Sequence, residues 1–407
     1  MYIKTSAWCS HSNHIARYLF VFFAFCLPIS IAVENISFFL TLLPALLSGS
    51  WWYSRRLLIE SAFSWWLLLL FLLFLAGLFY TEASYHWRFS VLRKEGYIMA
   101  ILFLLPVISL DRSFLLRAIK AYVIGCTITL LIAWLGYFHW LPQYLLQLPA
   151  PYYIFFKIYA ALFMTFGAYL TLILLKLNWH SVTRWFWLLI FILMSYNVLW
   201  QSLSRTGYII YAMLMFVFVW QTLHFRARII GTIILAMATL VVFLLSSNFH
   251  TGLGRAVHNF NRTGTSAGIR HEHMITSLRL WQQKPIFGYG TGGFRPADFK
   301  IKHIGPNGSV VNIGRMQDSP ENTYFRILVE YGMVGLLVLI LLWGWQCVAA
   351  FRLSEPVARQ IAMAFMLVMI VASMSQDLLL DNSPCMFYVL FSTLLYAPLI
   401  MRKRGLC

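Results

Sequence analysis

Two arginine side chains stand in settings that suit the binding of a phosphorylated molecule. Arg270, in the stretch GIRHEHM, lies near the start of a predicted helix that Ser266 would cap and that Lys284-Pro285 would end. A basic residue in a first turn opposes the helix dipole, so its presence there indicates a function. Together with the free backbone N–H groups of that turn, its guanidinium would form a diphosphate site. The alternative is a solvated surface arginine.

Other polar side chains lie beside predicted apolar helices. Arg205 occupies the turn Ser-Arg-Thr-Gly directly before one apolar segment, and Lys157 lies just inside another. Ionisable groups at such positions are costly and indicate function, although both side chains could extend to the lipid headgroups. We favour a functional role for Arg205, because its place in the turn leaves little apolar stem for the side chain to bury. For Lys157 we favour extension of the side chain to the lipid headgroups. Glu321 and Asn322, in SPENTYFRILVEYG, also lie shortly before an apolar helix.

Two further motifs in the same region are less specific. The stretch GYGTGG, 288–293, has the spacing of a dinucleotide-binding fingerprint, but a helix and Pro285 precede it instead of a strand. We predict a tight glycine turn that packs on the membrane helices. His271 and His273 would not share a helix face, and the six cysteines are scattered without a CxxC pair. We therefore predict no metal site.

The elements that must position these side chains are predicted to be membrane-spanning helices. Hydrophobic residues make up 61% of the 407 residues and charged residues 11%, compared with roughly 25% charged in soluble domains. Apolar runs of about 17–20 residues, each long enough to cross a bilayer, recur along the chain. The sequence predicts an all-α polytopic membrane protein with about twelve transmembrane helices. The predicted spans are 18–33, 36–53, 64–80, 97–110, 118–138, 153–175, 185–201, 207–223, 229–246, 332–351, 360–375 and 385–400.

The distribution of Lys and Arg predicts the orientation of these spans. Short loops rich in both residues alternate with short loops that hold few, which indicates that both termini are cytoplasmic. The chain then has an N-terminal transmembrane region at 1–246, a large periplasmic loop with short helices at 247–331, and a C-terminal transmembrane region at 332–407. The loop carries ten Lys and Arg against five Asp and Glu. Either anionic headgroups or an anionic substrate would account for this charge.

Three stretches carry a resemblance to a known family. On Ser204-Arg205, GIR…W…KPIFGYGTGGF and ENTYFRILVEYGMVGLL, the chain resembles the O-antigen ligase and polymerase superfamily. These are bacterial inner-membrane glycosyltransferases with about twelve helices and one large periplasmic loop, a GT-C-like arrangement. The resemblance implies transfer of a glycan from undecaprenyl diphosphate to an acceptor hydroxyl. The acceptor is a lipid A-core sugar in ligases, a lipid-linked repeat unit in polymerases and a protein hydroxyl in related oligosaccharyltransferases.

The resemblance also assigns roles to residues. Arg205 and Arg270 match the arginines that hold the donor diphosphate, and Arg279 and Lys157 are further substrate-binding candidates. The family pattern His-Asn-x-[Tyr/Phe], whose histidine is the proposed base, matches Glu321-Asn322-Thr323-Tyr324. Asn322 and Tyr324 therefore join the substrate-binding candidates, and glutamate replaces the histidine.

The replacement leaves three hypotheses for the base. A histidine has a pKa near 6.5 that suits proton abstraction, but a carboxylate also serves as base in inverting glycosidases. Glu321 is our first candidate, with Arg270 as its catalytic neighbour. The alternatives are that His303 has taken the role or that the chain is an inactive relative. No cofactor or metal is required, because arginines neutralise the leaving diphosphate.

Other functional classes make different predictions. A transporter or flippase for a lipid-linked anion would place charges deep within the spans and on both membrane faces. The predicted spans are almost free of charge except at Lys157, and the candidate residues fall on one side. A purely structural membrane protein would not account for an arginine at the start of the loop helix, Arg270, and another at the outer end of a predicted span, Arg205. Much of the net charge of +18 follows from topology, so we expect membrane lipids, a lipid-linked donor and a glycan acceptor as partners, and no nucleic acid.

The topology can be tested with reporter tags. We expect tags at residue 407 and within 176–184 to report a cytoplasmic location, and a tag near residue 308 to report the periplasm, because the Lys and Arg distribution requires it. Paired alkaline phosphatase and fluorescent protein fusions measure this directly. A cytoplasmic report at residue 308 would reverse the orientation.

Overall fold

The computed structural model describes residues 7–108, 111–137, 157–202, 204–245, 266–303 and 318–401, and no strand occurs within them. A 3₁₀ turn at Gly96–Met99 and a π turn at Asn197–Gln201 accompany the α-helices. The helices are α1 Ala7–Cys26, α2 Ile31–Leu47, α3 Ser50–Tyr53, α4 Arg55–Ile59, α5 Ala62–Tyr80, α6 Tyr85–Glu95, α7 Ala100–Leu104, α8 Arg112–Tyr137, α9 Lys157–Leu177, α10 Arg184–Tyr196, α11 Arg205–Thr222, α12 Phe225–Leu245, α13 Ser266–Gln283, α14 Phe294–His303, α15 Thr323–Arg352, α16 Pro356–Ala372 and α17 Asn382–Met401.

Several of these helices suit a bilayer. Five of them, among the described residues, are long and apolar enough to cross a membrane: α5, α8, α9, α15 and α17. Helices α2 and α16 are apolar but shorter. The outer helices expose large apolar side chains, as α12 does with Ile229, Ile230, Ile233 and Ile234. A contiguous apolar surface of this kind is unfavourable in water and favourable in lipid, so the chain is a multi-pass membrane protein.

The predicted spans overlap described helices, but the number of twelve crossings stays a prediction, because five helices among the described residues are long and apolar enough to cross a membrane. Some predicted spans also differ in extent from the helices. The first was predicted at 18–33, whereas α1 ends at Cys26, two residues before Pro28. Proline removes a backbone donor and disfavours helix in the residue before it. The span predicted at 97–110 consists of a 3₁₀ turn and the five-residue helix α7, which Pro106 follows. Which face of the bundle is periplasmic stays a prediction.

The core of the bundle lies around α17. In the apolar stretch of α17, 89% of the residues are buried inside the protein. The corresponding share in α5, at the periphery, is 33%. Four aromatic side chains from three helices pack together there: Phe166 of α9, Phe365 of α16, and Phe387 and Phe391 of α17, with centroid distances of 4.8 to 6.4 Å. Such offset and edge-to-face contacts stabilise beyond their area burial. These contacts fix α9, α16 and α17 against one another, and the 373–381 segment connects the last two.

Helix α15 begins nine residues before the predicted span and is interrupted once. At Gly332 the backbone has φ 65° and ψ −161°, a combination that only glycine adopts easily. The interruption leaves backbone groups without intrahelical partners. The glycine turn 285–293 supplies them. Met333 and Val334 donate to the carbonyls of Pro285 and Ile286 at 2.9 and 3.3 Å.

The glycine turn also donates hydrogen bonds to α15 and reaches a second helix. The N–H groups of Tyr289 and Gly290 donate to the carbonyls of Val329 and Glu330 at 2.9 and 2.7 Å. Thr291 donates from Oγ1 to the Phe74 carbonyl of α5 at 2.5 Å. Gly288, Gly290 and Gly292 all have positive φ, between 69° and 81°. The prediction that GYGTGG is a tight turn packing the loop onto the membrane helices is confirmed.

Gly332 and Gly344, both in α15, provide a matched pair for testing this contact. A Cβ at Gly332 would lie 2.1 Å from the Ile286 carbonyl oxygen, whereas one at Gly344 would meet nothing within 4 Å. We expect Gly332→Ala to lower the unfolding midpoint in detergent, because it adds about 1–3 kcal/mol of backbone strain and separates the glycine turn from the helix. Gly344→Ala should be neutral or stabilising by roughly 0.5–1 kcal/mol. Equal midpoints for the two variants would contradict the role of the interruption.

Candidate functional site

The Glu-Asn-Thr-Tyr segment has a strained backbone at its first residue. Glu321 has φ 52° and is the one non-glycine residue with positive φ in the part of the chain that the structure describes. Such backbone conformations are uncommon outside glycine and cluster at functional sites. Asn322 then caps α15, because its Oδ1 accepts from the Phe325 N–H at 3.1 Å. The polar residues before the helix thus form its N-terminus and fix the position of the glutamate.

The segment between α16 and α17, residues 373–381, holds this N-terminus in place. Asn322 donates from Nδ2 to the Met374 carbonyl at 2.8 Å, and Thr323 donates from Oγ1 to the Gln376 carbonyl at 2.7 Å. Tyr324 donates from its hydroxyl to the Ile370 carbonyl at 2.9 Å. The side chains of Asn322 and Tyr324 therefore help to position Glu321, and their role in substrate binding stays a prediction.

A buried ion cluster reinforces the same contact one turn further on. The guanidinium of Arg326, with 5% of its side chain exposed, lies 3.2 Å from Asp377 and 3.5 Å from Glu330. Tyr331 donates from its hydroxyl to both carboxylate oxygens of Glu95, at 2.8 and 2.9 Å. Burial, and next the charge of Glu330, raise the pKa of Glu95 to about 8. The Arg326 guanidinium thus lies among several carboxylates, which belong to α15, the 373–381 segment and α6.

Arg270 reaches Glu321 from the loop helix α13. Its Nε lies 3.6 Å from Oε2 of the carboxylate, with 33% and 48% of the two side chains exposed. This separation is too long for a hydrogen bond, and Nε of Arg270 is buried without one among the described residues. The guanidinium therefore pairs electrostatically with Glu321 and retains hydrogen-bonding capacity.

The position of Arg270 in its helix corrects one expectation. Helix α13 ends at Gln283, directly before Lys284-Pro285 as predicted, but its first described residue is Ser266. Arg270 is thus at least one full turn inside the helix and not in its first turn. The free N–H groups of a helix lie in the first turn only, so backbone donors do not join this guanidinium. Its ability to bind an anion rests on the side chain.

Arg205 opens α11 and lies near Arg270. The helix starts at Arg205, with Ser204 accepting from the Gly207 N–H at 3.2 Å, and it follows the π turn, a feature frequent at functional sites. Burial, and next the charge of Arg270, lower the pKa of the Arg205 guanidinium, which precedes the predicted span. The adjacent Thr206 hydroxyl lies 2.8 Å from that of Ser375. Two neighbouring cations are thus held beside the segment that positions Glu321.

The remaining predicted site residues are not brought to this cluster. Arg279 is exposed and lies nine residues beyond Arg270 in α13, about 13 Å along the helix axis. Lys157 begins α9 and His303 ends α14, but their side chains lie outside the described residues. Their roles stay predictions. Within the described residues no group of three His, Cys, Asp or Glu side chains could hold a metal ion.

A polar cleft borders Glu321 and includes residues that the sequence did not single out. It has a volume of about 370 Å³, and five segments line it. Its lining side chains are Ile31, Lys94, Tyr159, Ser319, Glu321, Ser375, Gln376, Asp377, Asp381, Asn382 and Ser383. One signal for it exists in the sequence: Asp377 and Asp381 are two of only 13 acidic residues and lie four apart between predicted spans.

The arrangement can perform acid–base and anion-binding chemistry at one point. A carboxylate on a fixed backbone stands between a pair of guanidiniums and a polar cleft, which are the parts a group transfer from a phosphorylated donor requires. Residues 189–340 match the family model described as O-antigen ligase. A comparison with curated proteins found no match. The matched segment contains Arg205, Arg270 and Glu321, and the match supports a relationship of the chain to the O-antigen ligase and polymerase superfamily.

Proposed function

We propose that the protein transfers a glycan from undecaprenyl diphosphate to a sugar hydroxyl of the lipid A core, on the periplasmic side of the bacterial inner membrane. The family supports a ligase- or polymerase-type glycosyltransferase; the donor, the acceptor and the mechanism are our proposal. The observation that carries it is the placement of Arg270 3.6 Å from Glu321, with Arg205 close enough for the Arg270 charge to lower its pKa.

The arginine pair supplies the donor site. Two guanidiniums that repel each other across a partly exposed site are stabilised when an anion binds between them. A diphosphate offers several oxygens to such a pair, and guanidinium groups bind phosphate oxygens in a bidentate manner. As the glycan leaves, negative charge develops on the bridging oxygen, and the same two cations stabilise it. This accounts for leaving-group activation through side chains of the protein.

Glu321 acts on the acceptor. In the proposed step the acceptor hydroxyl gives its proton to the Glu321 carboxylate while its oxygen bonds to the anomeric carbon. The bond between that carbon and the phosphate oxygen breaks, and undecaprenyl diphosphate leaves with the electron pair. Attack opposite the leaving group inverts the anomeric configuration, as in inverting glycosidases. The positive φ of Glu321 and the helix cap formed by its neighbour Asn322 hold the carboxylate in position for this attack.

A polymerase of the same superfamily would use the same parts with a lipid-linked repeat unit as acceptor. The two functions differ only in the acceptor, so they are separated by offering purified protein both substrates. Transfer to rough lipopolysaccharide supports the ligase reaction. Elongation of the lipid-linked repeat alone supports the polymerase reaction.

The arginine pair is tested by substitution. We expect Arg205→Ala and Arg270→Ala each to reduce transfer by about 10²–10³-fold, since each removes a stabiliser of developing charge. Lysine at either position should restore activity only in part, because a point charge does not reproduce bidentate contacts. Initial rates with a labelled lipid-linked donor measure this.

Arg56→Ala is the control for the arginine variants. Arg56 forms an exposed pair with Glu60, with 78% and 46% of the side chains accessible, outside the proposed site. We expect wild-type transfer and normal insertion from it. Full activity in Arg270→Ala would remove the diphosphate site from the proposal.

The role of Glu321 is tested by removing its basicity and by restoring the family residue. Glu321→Gln keeps the size of the side chain, so donor binding should persist while transfer falls by about 10²–10⁴-fold. Glu321→His should retain measurable transfer, because Asn322 and Tyr324 already hold the backbone as the family pattern requires. His303→Ala should be mild. If Glu321→Gln is fully active and His303→Ala is inactive, His303 is the base and the assignment of Glu321 is wrong.

A further inference from the structure

We propose that the polar cleft beside Glu321 is the acceptor-glycan subsite, in which Gln376 and Asp381 bind sugar hydroxyls. This inference rests on the proposed function for its chemistry and adds the location of the second substrate. The cleft volume of about 370 Å³ falls within the roughly 300–1,000 Å³ typical of ligand pockets.

The chemistry of the cleft suits a polyhydroxylated ligand. Its lining offers carboxylates, amides, hydroxyls and one tyrosine, and Ile31 is the one aliphatic side chain among them. A lipid tail would offer no hydrogen bond to those polar groups of the lining that lack one, which is costly. Carboxylates and amides accept and donate the hydrogen bonds that sugar hydroxyls make.

One polar atom in the cleft wall lacks a partner, and this points to a ligand. Gln376 is 4% exposed, and its Oε1 has no hydrogen-bond partner among the described residues, although its backbone carbonyl is bound by Thr323. Buried polar groups are nearly always hydrogen-bonded, and an exception needs an explanation. A hydroxyl donor from a bound sugar would satisfy this oxygen.

The charges separate this cleft from the diphosphate site. Glu321, Asp377 and Asp381 face it together with a single cation, Lys94, whose Nζ lies 3.8 Å from Asp381. Neither Arg205 nor Arg270 lines it. An anionic ligand is disfavoured there, so the diphosphate and its first sugar bind on the arginine side.

Glu321 connects the two regions. Its carboxylate lies 3.6 Å from Arg270 and the same residue lines the cleft. An acceptor hydroxyl must approach the base from the side opposite the leaving diphosphate. A glycan in the cleft reaches Glu321 from the side that the arginines leave open. Tyr159, which donates a hydrogen bond to Asp381, orients that carboxylate toward the ligand.

Gln376 and Gln346 form a matched pair for the test. Gln346 of α15 is fully partnered, accepting from the Tyr388 hydroxyl at 2.8 Å and donating to Ser392 at 3.0 Å. We expect Gln376→Met to keep or raise the unfolding midpoint, because it removes an unsatisfied buried group, and to weaken glycan binding about tenfold. Gln346→Met should lower the midpoint and leave glycan binding unchanged.

The experiment measures binding and transfer separately. The probe is delipidated core oligosaccharide prepared from rough lipopolysaccharide, whose binding to the purified protein is followed by saturation-transfer NMR. Asp381→Asn should weaken this binding, whereas Glu82→Gln, which alters the ion pair with Lys300 outside the cleft, should not. In the transfer assay the same cleft variants should raise the KM for rough lipopolysaccharide and leave the donor KM unchanged.

The outcomes distinguish this inference from the proposed function. Binding that depends on Gln376 and Asp381 supports the subsite even if the wild-type protein transfers nothing, which would overturn only the proposed reaction. Absent binding, or binding equal in wild type and both cleft variants, overturns the subsite. A raised donor KM with an unchanged acceptor KM also overturns it, since the cleft would then hold the donor glycan.

Discussion

The buried guanidinium of Arg326 is the interaction on which the site depends. It is 5% exposed and contacts two carboxylates, Glu330 in its own helix and Asp377 in the 373–381 segment. Removing one partner of a buried ion pair is strongly destabilising, by about 3–5 kcal/mol, because the other charges stay buried without compensation. Burial, and next the charge of Glu330, raise the pKa of Glu95, whereas the charge of Arg326 lowers it.

This cluster also joins residues of the segment between α12 and α15 to the membrane helices. Glu330 accepts weakly from the Phe294 N–H at 3.4 Å, and its backbone carbonyl accepts from Gly290. The glycine turn therefore docks on the same half-turn of α15 that binds Arg326. A displacement of α15 at this point would shift both the turn and the strained residue Glu321. The functional site is thus held by buried electrostatics on one side and by an aromatic core on the other.

The glutamate in place of the family histidine changes the electrostatics around Arg270 in the proposed donor site. A neutral imidazole would leave Arg270 with a full unbalanced charge, whereas the Glu321 carboxylate lies 3.6 Å from it. A diphosphate that binds Arg270 must compete with this internal anion. The contact is longer than a hydrogen bond and partly exposed, so the competition is modest. Arg205 contributes a second cation nearby, which favours the diphosphate.

The sequence by itself determined the class of the protein and predicted the residues of its candidate site. Composition and apolar periodicity predict a multi-pass helical membrane protein, and the motif residues Arg205, Arg270 and Glu321 are identified without coordinates. The end of α13 and the packing of the glycine turn were also predicted, because proline and glycine act through local backbone geometry. These features depend on neighbours in the chain.

The tertiary structure alone decided which polar residues meet. Asp377 and Asp381 lie more than fifty residues from Glu321 in the chain, and Lys94 and Tyr159 much further, so no local pattern relates them to the cleft. Asn322 and Tyr324 were expected to bind substrate, but their side chains bind carbonyls of 370–374. Periodicity reports which face of a helix is apolar, whereas the partner of a buried polar group is set by the packing of distant segments.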